Sequence, residues 1–276
     1  MEKTFFFVAI VLLSVSCNNE DVVPAKETSA ALLTRISING ITFLEFLYDV
    51  EERLYRFNYY DQGTLAYYII YEYIENGLKE SRRYEADDHS LVYRTVFTLD
   101  NFGRVIKGEN YGKSDFFDEV TSIGLFEYNG SDQLTVREFI DDGSSIYYRE
   151  ENTYDGTGNL ITQQRTYYPN EDDQYIGSLF EFTPDSKLIP GSWDDYVFIL
   201  ELSSLDNYIR HMYMSNVHYK FWVSDDALWA EYNTAISGKE YDEDGNLTRQ
   251  VTTRKSILGS QYPDNVDVMT YYQKEN

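Results

Sequence analysis

The amino-acid sequence predicts an all-β domain, in which an antiparallel meander of repeated hairpins curls into a rolled sheet or partial barrel. Three observations predict it. Tyr, Phe and Trp make up 17% of the 276 residues while only 5 are proline, a composition that disordered or linker chains lack. Segments such as Arg53–Phe57 and Ile146–Glu150 are rich in strand-forming residues and alternate along much of their length, as half-buried strands do. A short turn motif also recurs along the chain.

Residues 1–16 are typical of a signal peptide. Lys3 precedes an apolar run from Phe5 to Leu13, and small residues follow at Ser14 and Ser16. This is the order of a basic region, an apolar region and a cleavage site. The apolar run is shorter than the roughly 20 residues that a transmembrane helix needs. We therefore expect residues 1–16 to be removed on export.

The single cysteine of the chain, Cys17, directly follows these small residues. Together with Ser14 and Ser16 it resembles the lipobox of bacterial lipoproteins, in which the cysteine becomes the lipidated first residue of the mature chain. The alternative is an ordinary signal peptide with an incidental cysteine. A lipidated Cys17 would leave no thiol for a disulfide, a nucleophile or a metal site.

Residues 17–32 are expected to form a flexible tether between the lipid and the domain. The segment Asn18–Asp21 is acidic and polar, and the residues up to Leu32 include Pro24 and show no alternation. Such a composition favours an extended, mobile connection. We expect residues 33–276 to form one domain.

The turn motif is a seven-residue segment that starts with an aromatic residue, or with leucine in one copy, and ends with an aliphatic one. Its clearest copies are Tyr154–Leu160 and Tyr241–Leu247. Other copies are Leu99–Val105 and Tyr128–Leu134, and weaker ones are Tyr48–Leu54 and Phe182–Leu188. The starting residues Tyr128, Tyr154 and Phe182 are 26 and 28 residues apart. Repeats of this period indicate units that bury their apolar faces by stacking on neighbours.

The composition of the motif predicts a tight hairpin turn with a structural role. In the four clearer copies the second residue is Asp or Asn, whose side chain can accept backbone N–H groups, and the fifth is Gly or Asp, which tolerate a positive φ. Glu52 and Ser186, at the fifth position of the weaker copies, fit this pattern less well. A type I turn followed by a left-handed residue and a bulge fits this loop length. The residues concerned are Asp100, Asn129, Asp155 and Asp242 at the second position, and Gly103, Asp132, Gly158 and Gly245 at the fifth.

Residues 191–232 are predicted to interrupt the meander as an insertion. They contain all three tryptophans, Trp193, Trp222 and Trp229, and the segment Ser204–Met212 is predicted to form a short helix. The alternative is a second domain, although some 40 residues make a small core.

The motif at Tyr154 and Tyr241 resembles the tyrosine–aspartate repeats of RHS-type proteins. With the lipobox-like segment at Cys17, the arrangement is similar to a group of uncharacterised Bacteroidota lipoproteins with a domain of unknown function. The resemblance covers about residues 40–275. It implies a rolled antiparallel repeat sheet, an extracytoplasmic location at the outer membrane with a surface-exposed or a periplasmic orientation, and no catalytic residue.

The composition excludes nucleic acid as a partner, and the sequence motifs indicate no cofactor. With 23 basic and 47 acidic side chains the net charge is −24, so a nucleic-acid backbone would be repelled. The sequence has no nucleophile elbow, phosphate loop or dinucleotide fingerprint. His211 and His218 lack the further ligands that zinc requires. The abundant carboxylates lie in turns and carry no metal-binding spacing.

Two functions from different classes remain open. The first is a non-enzymatic binding or scaffold lipoprotein that meets the membrane only through its lipid and holds a polysaccharide or an envelope protein. Its candidate contacts are Trp193, Trp222 and Trp229, because large amphipathic rings stack on sugars and anchor partners. The alternative is a cell-surface hydrolase acting on glycan or peptide, whose sign would be a carboxyl group with a strongly raised pKa in a cleft.

Overall fold

The computed structural model describes residues 32–74, 77–112, 119–141, 145–168, 175–185, 214–224, 227–243, 247–258 and 264–273. Within them the chain forms sixteen strands and no helix. The strands are β1 (Leu33–Ile38), β2 (Ile41–Tyr48), β3 (Leu54–Asp61), β4 (Thr64–Ile74), β5 (Gly77–Glu85), β6 (Leu91–Leu99), β7 (Val105–Tyr111), β8 (Val120–Tyr128), β9 (Leu134–Asp141), β10 (Ser145–Tyr154), β11 (Leu160–Tyr167), β12 (Tyr175–Pro184), β13 (Met214–Ser224), β14 (Ala227–Tyr241), β15 (Leu247–Leu258) and β16 (Asn265–Gln273). In the part of the chain that the structure describes, no helix is long and apolar enough to cross a membrane.

The sixteen strands form a closed antiparallel barrel, which confirms the predicted all-β meander. Each strand pairs with the next one along the chain, and β16 returns to pair with β1. In this closing pair Ile36 lies opposite Tyr271 and Ile38 lies opposite Met269. Closure pairs both edges of the sheet, so that none of the sixteen described strands is left as an open edge.

The prediction of an insertion over residues 191–232 is wrong for Met214–Ser224 and for the residues from Ala227 on, which form strands β13 and β14. Val217, Tyr219 and Tyr232 on these two strands point inward and are buried. A buried aromatic on every second residue is a strand pattern. The segment that was predicted as a helix, residues 204–212, lies outside the described residues.

Four of the turn motifs have the same hydrogen-bond pattern. The second residue accepts the backbone N–H groups two and four residues later, at 2.8 and 2.9 Å for Asp155 and 2.9 and 3.0 Å for Asp100. Asn129 and Asp49 do the same. The fifth residue has a positive φ in each copy, at Glu52, Gly103, Asp132 and Gly158. The copy at Tyr48 therefore has the same geometry as the clearer ones, although Glu occupies its left-handed position.

The tyrosine hydroxyls of the motifs donate hydrogen bonds that connect each turn to the preceding one. The hydroxyl of Tyr154 donates to the carbonyl oxygen of Leu134 at 2.7 Å, and that of Tyr128 donates to Val105 at 2.9 Å. Tyr48 and Tyr73 donate in the same way to Leu33 and Leu54. Tyr73 belongs to a shorter copy that the sequence reading missed, in which Leu78 takes the buried final position. The hydrogen bonds join units about 25 residues apart and support stacking of neighbouring repeats.

All these motifs lie at one end of the barrel, called here the motif end, because alternate turns of a meander share an end. The final aliphatic residues of the motifs point inward there and are buried: Leu54, Val105, Leu134, Leu160 and Leu247. Chain entry at Leu33 lies at the same end. The interior next to the motif end is therefore a packed apolar core.

Candidate functional site

The described part of the chain places two of the three tryptophans at the end of the barrel opposite the motif end. Trp222 on β13 pairs with Leu228, which neighbours Trp229 on β14. Trp229 is 47% exposed and Trp222 is half-buried. Cys17, Trp193 and Gly245 lie outside the described residues. β12 ends and β13 begins at the motif end, where Pro184 pairs with Met214.

The outer wall of the barrel is lined with ion pairs between neighbouring strands. On β4 and β5, the Glu72 carboxylate accepts from Lys79 at 2.6 Å and from Arg82 at 3.1 Å. Further pairs follow around the wall: Arg94 with Glu80 at 2.9 Å, Lys107 with Glu109 at 2.7 Å, Arg149 with Glu138, Lys220 with Glu181 at 3.0 Å and Arg249 with Glu240 at 2.6 Å. The strand pairings place these side chains on the face opposite the buried core. The wall is therefore polar on β4–β7, β9, β10 and β12–β15.

The inner wall changes character along the barrel. Toward the end opposite the motifs, the inward positions pass from fully buried aliphatic residues to half-exposed aromatic residues and arginines. We call this set the inner rim; its members are Tyr59, Tyr67, Arg83 and Tyr93 on β3–β6, and Phe139, Tyr148, Arg165 and Tyr167 on β9–β11. Tyr93 is 49% exposed. The inner rim is thus the part of the described interior that meets solvent.

On β3–β6 the inner rim is a ladder of stacked rings that ends in an arginine. Tyr59 and Tyr67 stack with ring centroids 4.8 Å apart. The Arg83 guanidinium lies 3.9 Å from the Tyr67 ring centroid and 5.7 Å from that of Tyr93. Its carboxylate neighbour, Glu85, is 3.8 Å away, which is long for an ion pair. Arg83 is therefore held mainly by ring faces.

On β9–β11 a buried ion triad lies directly below the inner rim. Glu150 is fully buried, and its carboxylate accepts from Arg137 at 2.7 Å and from Arg165 at 2.8 Å. Gln163 Nε2 donates a further bond at 2.9 Å. Burial raises the pKa of Glu150, but the two guanidinium groups outweigh it and hold that pKa below its usual range. Two cations share one anion, so the triad carries one excess positive charge.

Aromatic rings cover this triad on the solvent side. Phe139 and Tyr148 stack at 4.5 Å, and the Arg165 guanidinium lies 4.6 Å from the Tyr148 ring centroid. Burial raises the pKa of Tyr148 to about 12, although Arg137 and Arg165 lower it. Burial likewise raises the pKa of Tyr67 to about 12. Both hydroxyls therefore stay protonated at neutral pH and can donate a hydrogen bond.

The carboxyl groups with shifted pKa values do not match those of a general acid. In the described ranges, such carboxyl groups are all shifted downward, by arginine or lysine neighbours or by turn N–H groups. A glycosidase acid needs the opposite shift. Among the described residues no group of three His, Cys, Asp or Glu side chains could hold a metal ion. His218 lies between Glu181 and Glu231 on the outer wall, and His211 lies outside the described residues.

Sequence reasoning missed the inner rim. Both faces of the strands carry tyrosine and arginine, as in the adjacent residues Tyr67 and Tyr68, of which Tyr68 faces outward. The usable signal was the strand register: the buried leucine of each motif marks one face, and counting back in twos along β10 from Tyr154 reaches Glu150 and Tyr148.

Comparison with known proteins relates the chain to others by fold alone. No family model matches it and no curated protein matches it. A porin-like protein from Bacteroides uniformis has 14% identity and a TM-score of 0.53, with 88% of this chain and 96% of that chain covered. A porin-like protein from Bacteroides vulgatus has 10% identity and a TM-score of 0.39, with 89% and 100% covered. The chain therefore has the barrel fold of a porin-like Bacteroides protein.

Proposed function

We propose that the protein is a non-enzymatic binding or scaffold lipoprotein of the bacterial envelope, anchored by lipid at Cys17, with its barrel standing in water. The ion pairs of the outer wall carry this proposal. A barrel that spans a membrane presents an apolar band about 25 Å tall to the lipid, and an outward Arg or Lys at its midplane costs about 2–4 kcal/mol. Cationic side chains on β5, β6, β7, β10 and β13 would meet this cost in proportion to their depth in the bilayer.

The barrel also has its apolar residues on the side that a porin keeps polar. The core positions at Ile36, Leu44 and Phe57 point inward and are fully buried. An interior packed with aliphatic and aromatic side chains is what a barrel in water needs, because its outer wall is already solvated. The similarity to porin-like proteins concerns the fold. The charged outer wall and the apolar core support a barrel that lies outside the bilayer and does not span it.

The point where the chain enters the barrel supports an orientation. β1 begins at Leu33 at the motif end, and the 16 residues from Cys17 to Leu33 reach at most about 55 Å when extended. With lipid at Cys17, the motif end is the tethered end of the barrel. The inner rim and Trp229 at the other end are then free to meet a ligand or a partner away from the membrane.

A binding or scaffold role agrees with the chemistry of the described site. The buried carboxylate Glu150 is held ionised by two arginines, so it lacks the proton that an acid catalyst would supply. The inner rim offers rings, hydroxyls and guanidinium groups, which bind rather than react at neutral pH.

Membrane fractionation of the Cys17→Ala chain tests the proposal. We expect wild-type protein to incorporate labelled fatty acid and to stay with membranes until detergent is added. We expect the Cys17→Ala chain to take up no label and to leave the membrane in salt or alkaline washes. A Cys17→Ala chain that remains integrated after an alkaline wash would mean that the barrel itself spans the bilayer, and the proposal would be wrong.

A further inference from the structure

We infer that the inner rim is a binding site for an acidic saccharide chain, one that carries carboxylate groups on sugar rings. This inference rests on the proposed binding role and names the ligand class for it. It concerns Tyr59, Tyr67, Arg83 and Tyr93 on one side of the rim, and Tyr148, Arg165 and Tyr167 on the other.

The first step is accessibility, which rises toward the rim along each strand. On β6 the inward residue Phe97 is buried, whereas Tyr93 is 49% exposed. On β11, Gln163 is buried and the Arg165 side chain is 28% exposed. Below these positions the interior is filled with side chains, so a ligand would rest on the rim and would not pass through the barrel.

The second step is charge. The whole chain carries a net charge of −24, yet the rim exposes Arg165 of a triad with one excess positive charge, together with Arg83, whose nearest carboxylate is 3.8 Å away. The acidic residues that the strand register places on the inner face at this end include Asp61, Glu85, Asp141 and Asp267. Arg165 already donates to Glu150 through Nε and Nη2. Arg83, which lies over the rings of Tyr67 and Tyr93, is therefore the rim arginine with more N–H groups left for a ligand carboxylate.

The third step is the kind of anion. The hydroxyls of Tyr67 and Tyr148 remain donors at neutral pH because burial raises each pKa to about 12. Rings, phenol hydroxyls and guanidinium groups together match a ligand that has apolar ring faces, many hydroxyls and a carboxylate. An extended peptide is disfavoured because the barrel is closed, and strand addition needs a free sheet edge.

Titration of the full chain in detergent micelles tests the inference. The probe is an oligosaccharide of polygalacturonate, compared with its fully methyl-esterified form and with poly-glutamate. We expect the free-acid saccharide to bind and its binding to weaken as NaCl is raised, since the contacts at the rim are partly exposed. We expect the esterified saccharide, which lacks free carboxylates, and poly-glutamate, which has carboxylates but no sugar rings, each to bind at least roughly tenfold more weakly than the free-acid saccharide.

Three single substitutions place the ligand on the rim. Tyr93→Ala, Tyr167→Ala and Arg83→Gln alter exposed or half-buried side chains of the inner rim, and each should weaken binding of the free-acid saccharide roughly tenfold. Phe102→Ala is the matched control, because Phe102 is an aromatic residue that is 82% exposed at the motif end. Its affinity should equal that of wild type.

Three results would overturn the inference: no saccharide binding by wild type, equal binding of the esterified form, or poly-glutamate as the tighter ligand. An equal loss of affinity in Phe102→Ala and Tyr93→Ala would also show that the saccharide does not bind at the rim. The fractionation of Cys17→Ala does not depend on any ligand. If the saccharide does not bind but the Cys17→Ala chain is released from membranes, the binding site at the rim is refuted and the proposed lipid anchoring is not.

Discussion

Replacing Glu150 by Gln should destabilise the barrel more than any exposed ion-pair substitution. Glu150 is fully buried and Arg137 is 3% exposed, so Glu150→Gln leaves the Arg137 guanidinium without an anion in the interior and also removes the partner of Arg165, which is 28% exposed. Removing one partner of a buried ion pair costs about 3–5 kcal/mol. In a domain of this size 1 kcal/mol lowers the melting temperature by about 2–4 °C, so we expect a fall of between about 6 and 20 °C.

The matched control is Glu240→Gln, which removes the anion from an ion pair on the outer wall. The Glu240 side chain is 61% exposed and pairs with Arg249 at 2.6 Å. Such surface pairs contribute about 0–1 kcal/mol, so its denaturation midpoint in urea should lie close to that of wild type. Equal midpoints for Glu150→Gln and Glu240→Gln would refute the view that the triad is a buried charge cluster.

The pH dependence of the same variant gives a second measurement. The folded pKa of Glu150 lies below its ordinary value. Its ionised form therefore adds stability that is present above the unfolded pKa of about 4.3 and is lost as pH falls toward the folded pKa. Between pH 6 and pH 3, the unfolding free energy of wild type should fall more steeply than that of Glu150→Gln. Parallel curves would contradict this coupling.

Two further substitutions test the turn motifs. Tyr154→Phe removes the hydroxyl that donates to the Leu134 carbonyl and should cost about 0.5–1.5 kcal/mol in urea unfolding; an unchanged midpoint would mean that the hydrogen bond adds nothing. Gly158→Ala should cost about 1–2 kcal/mol because Gly158 has a φ of 93°, whereas Gly156→Ala, where an added Cβ meets open space, should be near neutral. Equal costs at the two glycines would exclude backbone strain as the reason.

Local chemistry explains why the turns could be predicted and the site could not. A turn depends on a few adjacent residues, and Asp155 with Gly158 specifies one through its own hydrogen bonds and a left-handed φ. The inner rim depends on residues such as Arg83 and Arg165, which lie on strands far apart in the sequence. Nothing local separates them from the outward arginines Arg82 and Arg149, because both faces of these strands carry charged and aromatic residues.

The predicted tryptophan site shows the same limit. Trp222 and Trp229 share an end of the barrel because β13 and β14 form a hairpin, which is a short-range relation. The prediction of an insertion is wrong for residues 214–224 and 227–232, which form strands β13 and β14, because a segment that contains all three tryptophans and a helix-like stretch was taken as a break in the meander. In the structure, alternate residues of that run fill the barrel core.

The sequence by itself determined the strand-forming segments, the repeated turns and the antiparallel order, because these follow from residue preferences within ten positions of the chain. The tertiary structure decided closure and the facing of each strand. Closure requires Ile36 to pair with Tyr271 across more than 200 residues, and closure makes the face that carries the buried motif residues the interior of the barrel. From it follow the buried triad, the charged outer wall and the inner rim, because a barrel in water buries one face of each strand and leaves the other solvated.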